Sequence, residues 1–323
     1  MKRGPRSDGA YDVAIVGAGP AGLSAALILG RCARRVLLCD DGTPRSWAAH
    51  HVHGFLTRDG DGQDEFRALG RHQLRRYRNV EFRAEQVSKI SPTAARFAIR
   101  MFGTTAISAR KVLLATGVFD NLPSISGIEA YFGKTALPCS YCDGWEMRGK
   151  AISVYGRGAR GFEMARAMTA WSSEVTLCTS GPPGLTASQF KMLEANGIAV
   201  RTGKIARLSG PNGRLSRILF TDGSSFSSDA LFFDTPCRQQ SRLAEQAGCR
   251  LTRDGRVRCD GYTATSIPGI FAAGNILKGV QLSIVAAGDG ARAAFAINRE
   301  LTREDFSCKA QGRRSASKAR RSP

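Results

Sequence analysis

The feature that most limits how this chain can fold is a pattern that occurs twice. An apolar, β-branched run, Tyr11-Asp12-Val13-Ala14-Ile15-Val16, leads straight into Gly17-Ala18-Gly19-Pro20-Ala21-Gly22, and residues at helical spacing follow (Ala21, Ala25, Ala26, Leu29). About 140 residues on, Ala151-Ile152-Ser153-Val154-Tyr155 leads into Gly156-Arg157-Gly158-Ala159-Arg160-Gly161 and a second helical stretch, Phe162 to Trp171. A buried strand, a Gly-rich turn and a helix in that order form the phosphate-binding unit of a doubly wound sheet. The first Gly makes the tight turn, the second lets a pyrophosphate approach the backbone, and the third lets helix and strand pack closely, with the anion at the helix N-terminus. Two copies in 323 residues imply two dinucleotide-binding domains of α/β class, one a donor site and one an acceptor site.

The first copy has its full context. A second strand, Arg35 to Cys39, ends in Asp40, where a carboxylate can accept the ribose hydroxyls of a dinucleotide. Gly17, Gly19, Pro20, Ala21, Gly22 and Asp40 are therefore expected to bind it. Gln63 to Tyr77 reads as an amphipathic helix, and Val80–Phe82, Val87–Ile90, Arg96–Phe102 and Thr105–Ile107 read as short antiparallel strands. Lys111-Val112-Leu113-Leu114 then runs into Ala115-Thr116-Gly117, a buried strand ending where backbone meets a ligand. The second copy, with Gly156, Gly158 and Gly161, is less complete. Its next strand, Glu174 to Cys178, ends in Thr179-Ser180-Gly181-Pro182-Pro183, with neither a carboxylate for a ribose 2′-hydroxyl nor an Arg cluster for a 2′-phosphate. Beyond it lie a helix (Thr186 to Asn196), a buried strand at Leu231–Thr235, a stretch from Thr265 to Asn275 that places a strand and a Gly-Asn, and a long Ala-rich helix from Gln281 to Asn298.

Just ahead of the second copy stands Pro138-Cys139-Ser140-Tyr141-Cys142-Asp143-Gly144. Two thiols at this spacing are a redox couple, half a metal site, or two plain thiols. A structural zinc needs two more ligands. The other cysteines (Cys32, Cys39, Cys178, Cys237, Cys249, Cys259, Cys308) are scattered, and His50, His51, His53 and His72 lie far upstream at poor spacing. A redox couple is favoured, and no metal is expected. The histidine-rich stretch reads as a loop covering a cofactor or packing against it.

With 42% hydrophobic residues the chain can bury two cores, and no apolar run approaches the roughly 18 residues of a membrane span. The basic start has no apolar segment behind it, so a cytoplasmic protein without signal peptide is expected. The 47 basic and 27 acidic residues give a formal charge of +20, part of it in a Ser-, Ala- and Arg-rich stretch over 305–323 that is expected to be disordered. No recognition motif accompanies the charge, so no specific nucleic-acid role is read from it.

Taken together, Gly17 to Gly22, Ala115-Thr116-Gly117, Cys139-Ser140-Tyr141-Cys142-Asp143-Gly144, Gly156 to Gly161 and Ile267-Pro268-Gly269-Ile270-Phe271-Ala272-Ala273-Gly274-Asn275 make the chain resemble the low-molecular-weight thioredoxin reductase family of flavin disulfide oxidoreductases. The resemblance implies two Rossmann-like, three-layer ββα domains, the second inserted in the first: an FAD domain over 10–121 and 240–304, and an NAD(P)-binding-like domain over 122–239 carrying the Cys pair. It implies FAD held also by Gly274, Asn275 and Gln281, Cys142 nearest the flavin, Cys139 meeting the partner's sulfur, and Asp143 as general acid/base. It further implies a homodimer and a thioredoxin-like protein or a small-molecule dithiol/disulfide as partner. Three departures qualify it. Asn275 stands where the family has Asp, although an amide can still bond a hydroxyl. The basic stretch that selects NADPH is missing. Ser140-Tyr141 is bulkier than the family's usual filling, as in its dithiol-oxidase branch, which tends to carry His where this chain has Asp143. The first reading is therefore electron flow from NAD(P)H through FAD and Cys139/Cys142 to a protein disulfide. The alternative is an oxygen-using dithiol oxidase that forms disulfides in a small molecule without NAD(P)H. A third reading is a flavin-carrying sensor whose basic tail contacts a polyanion.

Overall fold

The computed structural model describes residues 10–45, 51–102 and 106–319, with side chains through 308. They form two compact units. The first comprises the chain up to Pro44, Arg67–Val118, and Gln239 onward; the second comprises Arg45–Phe66 and Phe119–Arg238.

The elements run as follows. First come β1 (Tyr11–Val16), α1 (Pro20–Arg31), β2 (Val36–Cys39), β3 (His51–Val52), β4 (Asp61–Gly62) and α2 (Gln63–Leu74). Then follow β5 (Val80–Arg83), β6 (Val87–Pro92), β7 (Phe97–Met101), β8 (Ile107–Leu114), β9 (Val118–Asp120), β10 (Ala136–Leu137), α3 (Ser140–Asp143) and β11 (Ile152–Tyr155). After α4 (Gly158–Met168) stand β12 (Val175–Cys178), α5 (Ala187–Ala195), β13 (Ala199–Arg201), β14 (Ile205–Ser209), β15 (Arg217–Phe220) and β16 (Ser225–Ser227). The chain ends with β17 (Ala230–Phe233), β18 (Cys237–Gln239), α6 (Leu243–Gln246), β19 (Ile270–Ala272) and α7 (Ser283–Ala319).

In the first unit the sheet order is β5-β2-β1-β8-β7-β6, with β19 parallel on β8. β1 and β2 are almost wholly apolar and buried because a parallel strand is covered on both faces. Val13 and Ile15 face α1 and α7 through Ala25, Ala26, Leu29, Ala293 and Ile297; Ala14, Val16 and Leu37 face the β6–β7 layer through Ile90, Ile99 and Met101. Helices, parallel sheet and antiparallel sheet are the three expected layers. Each fully buried aliphatic side chain contributes about 1.5–3 kcal/mol. One strand differs from expectation: β5 is parallel to β2, with Val36 opposite Val80. It follows α2, and a helical crossover returns the chain in its original direction. The strands expected at 105–107 and 111–114 are one, β8, although 103–105 fall outside the described residues.

α7 also departs from expectation. It continues past Asn298 to Ala319, across the stretch read as disordered. Its Ala, Lys, Arg and Gln content favours helix. Its residue 305 belongs to the folded unit: the Asp305 carboxylate accepts from Arg34 Nη1 at 2.7 Å and Arg110 Nη1 at 2.9 Å. Glu300 and Glu304 pair with Lys111 at 2.8 and 2.7 Å.

The second unit repeats the architecture. A parallel sheet in the order β10-β17-β11-β12-β13 packs on one face against α4 and α5, and on the other against the β14-β15-β16 meander through Ile205, Ile218 and Phe220. α5 opens on a capping box: Thr186 Oγ1 accepts from Gln189 N–H while the Gln189 side chain accepts from Thr186 N–H. Arg45 and residues 51–66, expected with the first domain, group here instead, where Arg45 binds Asp120 through Nε at 2.7 Å and Phe55 packs edge-on against Phe66. Among the described residues no helix is long and apolar enough to cross a membrane.

Candidate redox and cofactor site

In the first unit the strand order reverses between β1 and β8, and a doubly wound sheet binds its ligand at the C-terminal ends of such strands. The turn after β1 sits there. Gly17 has φ +103°, and a Cβ on it would lie 2.3 Å from Ala115 O. A Cβ on Gly22 would lie 1.8 Å from Gly17 O, so that position admits only Gly. Around Gly19, by contrast, no protein atom lies within 4 Å of a built Cβ. Gly19 caps α1 without a side-chain hydrogen bond, Pro20 opens the helix, and no acid stands in its first turn. The positive helix end and its N–H groups are thus directed at open space, as an anion requires.

The other expected residues of this unit gather around that turn. Ala18 N–H donates to Asp40 Oδ1 at 3.0 Å, pinning the carboxylate beside the glycines. Ala115 N–H donates to Val16 O at 2.8 Å, and Ala273 N–H to Leu114 O at 2.9 Å, placing Ala115-Thr116-Gly117 and Gly274-Asn275 at the same sheet edge. Gly274, at φ +77°, comes close to Ala21 and Ala286: a Cβ there would be 3.0 and 3.5 Å from theirs. Gln281 lies just ahead of α7. A dinucleotide fits this set: a glycine cradle, a helix N-terminus for the pyrophosphate and a carboxylate for a ribose. Sequence reading missed Gly290, whose Cβ would stand 2.0 Å from Ala21 O and which lets α7 close on α1; a lone Gly in an Ala-rich helical pattern was its available signal.

The second unit holds the sulfurs. Cys139 and Cys142 form a disulfide with Cα atoms 5.3 Å apart. It spans the single turn α3, where Cys142 N–H donates to Cys139 Sγ at 3.1 Å. Tyr141 and Trp145 flank it, 74% and 64% exposed, so the turn presents aromatic surface to solvent. Trp171 packs edge-on against Tyr141 and fills the space a Gly144 side chain would need. Asp143 follows directly. Burial pushes its carboxyl up to about 6, nearby His53 pulls it down and Glu146 pushes it up. Three of the free thiols compete poorly: burial raises Cys39, Cys178 and Cys259 to about 12. His53, read from sequence as part of a covering loop, lies with its Nδ1 3.8 Å from both Asp59 and Glu146. His50 falls outside the described residues.

The second Gly-rich turn is also in this unit, after β11 and facing β17 at the strand-order reversal. A Cβ on Gly161 would lie 2.6 Å from Gly156 C, so these glycines are required by packing alone. The turn is closed by its own chain. Arg157 Nε donates to Thr179 O at 2.6 Å, and its Nη2 to Ser180 O. Gly158 N–H donates to Pro183 O at 2.8 Å. Thr179 Oγ1 donates to Gly181 O at 2.5 Å, and Ser180 Oγ accepts from Ile205 N–H at 3.1 Å. The polar side chains where a ribose would lie are thus already engaged.

Comparison with known proteins agrees with this architecture. The family model for pyridine nucleotide-disulphide oxidoreductases matches residues 11–290. The chain is 32% identical over 288 residues to the thioredoxin reductase tcpT of Claviceps purpurea, covering 84% of this chain and 89% of that protein. It is similar to the crystal structure of TrxB of Bacillus anthracis, assigned as a thioredoxin reductase (33% identity, TM-score 0.87, 92% and 100% of the two chains). It is also similar to the crystal structure of HlmI (33% identity, TM-score 0.90, 98% and 99% of the two chains).

Proposed function

Because this chain belongs to the pyridine nucleotide-disulphide oxidoreductase family, an FAD-dependent oxidoreductase acting on sulfur groups, we propose that it exchanges electron pairs with a dithiol or disulfide substrate through Cys139 and Cys142. The observation that carries this is the Cys139–Cys142 disulfide on an exposed aromatic turn, with a carboxyl poised near neutrality beside it. Gly17, Gly19, Pro20, Ala21 and Gly22 hold the pyrophosphate of FAD, Asp40 a ribose, and Ala115, Thr116, Gly117, Gly274, Asn275 and Gln281 the remainder. Bound FAD supplies a two-electron carrier that can be reduced by one partner and reoxidised by another.

In the thiol-oxidising direction, a substrate thiolate attacks Cys139 Sγ, the Cys139–Cys142 bond breaks, and Cys142 leaves as thiolate. Asp143 accepts the proton of the second substrate thiol, whose sulfur then attacks the first and expels Cys139. The substrate dithiol becomes a disulfide and the Cys pair gains two electrons. The same steps reversed reduce a protein disulfide.

Where the other electrons come from divides two readings. The names of relatives support a thioredoxin reductase, which on the first reading draws on NAD(P)H, reduces a thioredoxin-like protein and works as a homodimer. One observation favours the second reading, dithiol oxidation with dioxygen as final acceptor: Arg157, Thr179, Ser180 and the Pro183 carbonyl are each engaged by other groups of the same unit where a nucleotide would bind. Anaerobic stopped-flow mixing separates the two. NADPH or NADH bleaching the flavin band at about 1 s⁻¹ or faster supports the reductase. Bleaching by dithiothreitol with neither nucleotide effective supports the oxidase. If neither a nucleotide nor a dithiol bleaches it, the proposal fails.

A further inference from the structure

The stretch His51-Val52-His53 has no part in the chemistry above, yet the fold brings it to the redox turn. His53 is largely buried, its side chain 19% exposed, with Nδ1 3.8 Å from Asp59 Oδ1 and 3.8 Å from Glu146 Oε1. Glu146 stands three residues after Asp143, one helical step along the same turn. Asp59 and Glu146 therefore flank one imidazole, and Asp143 belongs to the same turn as Glu146. Other basic groups on these and adjoining elements have partners of their own: Arg58 pairs with Asp61 and Lys150 contacts Met147 Sδ. His51 stands ring to ring with His53 at 5.9 Å and contacts Gly60 O. Arg148 lies over the Trp145 ring. On α4, which packs on α3, Arg166 pairs with Glu163 and Arg160 with Asp234.

From this arrangement we infer that His53 is a positioning residue for the sulfur chemistry: set 3.8 Å from Glu146, its imidazolium form offsets the Glu146 charge and favours the carboxylate form of Asp143, the form that accepts the substrate's thiol proton. The inference rests on the reading of Asp143 as the base. Burial and Glu146 both favour the protonated carboxylic acid, which cannot accept a proton; His53 alone among the groups acting on Asp143 opposes them. Two carboxyls one helical step apart tend to retain a proton between them unless a cation intervenes.

The test follows reduction of Cys139–Cys142 in the FAD-loaded protein by dithiothreitol, under nitrogen, read as alkylated sulfurs by mass spectrometry. The ratio of variant to wild-type rate at each pH cancels the titration of dithiothreitol itself. For His53→Gln the limb set by Asp143 should move up by roughly one pH unit, the lower end of what a neighbouring charge does to a carboxyl. The ratio should then be about one-fifth at pH 6 and recover to nearly one at pH 8. His53→Lys, which restores a cation, should stay near one throughout. A flat His53→Gln ratio, or equal losses in the Gln and Lys variants, overturns the inference. Asp143→Asn separates the two levels: its rate should fall furthest behind wild type above pH 6, and if it does not, the reading of Asp143 as base fails instead.

Discussion

The link between α7 and the first sheet offers a sharp test of the fold. Burial alone would raise the Asp305 carboxyl, but Arg34 and Arg110 override it and hold the group at about 2. An unfolded Asp titrates near 3.9, so the gap of roughly two units corresponds to about 2.6 kcal/mol at neutral pH. Because the folded value is depressed, this contribution is complete above about pH 4 and is lost as pH falls through 2. Asp305→Asn keeps the shape and removes the charge. Arg34, 3% exposed, would retain Asn298 and Thr302, each at 2.7 Å, so the loss should sit at the low end for a broken buried pair. Hydrogen exchange at pH 7 should show amides of β1, α1 and α7 losing protection together by roughly 80-fold. The second unit should barely respond: protection of amides in β11, α4 and β12 should stay as in wild type. Urea midpoints of wild type and variant, followed by circular dichroism, should converge as pH drops from 4 towards 2. A loss of protection under about three-fold, or a gap that persists at pH 2, would refute the charge argument.

Further outcomes follow from the glycine cradle and from the helix cap. Gly19→Ala should leave apo-protein stability unchanged, since its methyl meets no protein atom, yet weaken FAD binding at least roughly ten-fold by equilibrium dialysis. Gly22→Ala, with its Cβ 1.8 Å from Gly17 O, should yield colourless protein that melts early. Thr186→Ala should lower the stability of the second unit by about 1 kcal/mol in urea, read by tryptophan emission, and Thr186→Ser should restore it.

Much of the frame is legible along the chain because its signals are local. The Gly17 and Gly156 turns, the buried strands before them and the helices after them announce themselves within six-residue windows. So does the Cys pair, and so does Asp40, whose place at a strand end is a matter of counting. The Thr186 cap is equally local, since its partner Gln189 is three residues away.

What stayed hidden depends on residues far apart in the chain or on the course of a single loop. The partnership of Arg34 with Asp305 spans 271 positions, and no periodicity marks it. The fate of Arg157 hung on the Ser180–Gly184 loop: positive φ at Ser180, Gly181 and Gly184 folds the carbonyls of Thr179 and Ser180 onto its guanidinium. As a string, the same Arg could equally have met a phosphate. His53 reads as a loop residue until the fold sets it beside Glu146 and near Asp143. Short-range stereochemistry writes the order of strands, turns and helices into neighbouring residues. The charge around a carboxyl and the occupancy of a cleft are sums over every group that folding brings near, and those sums exist only in three dimensions.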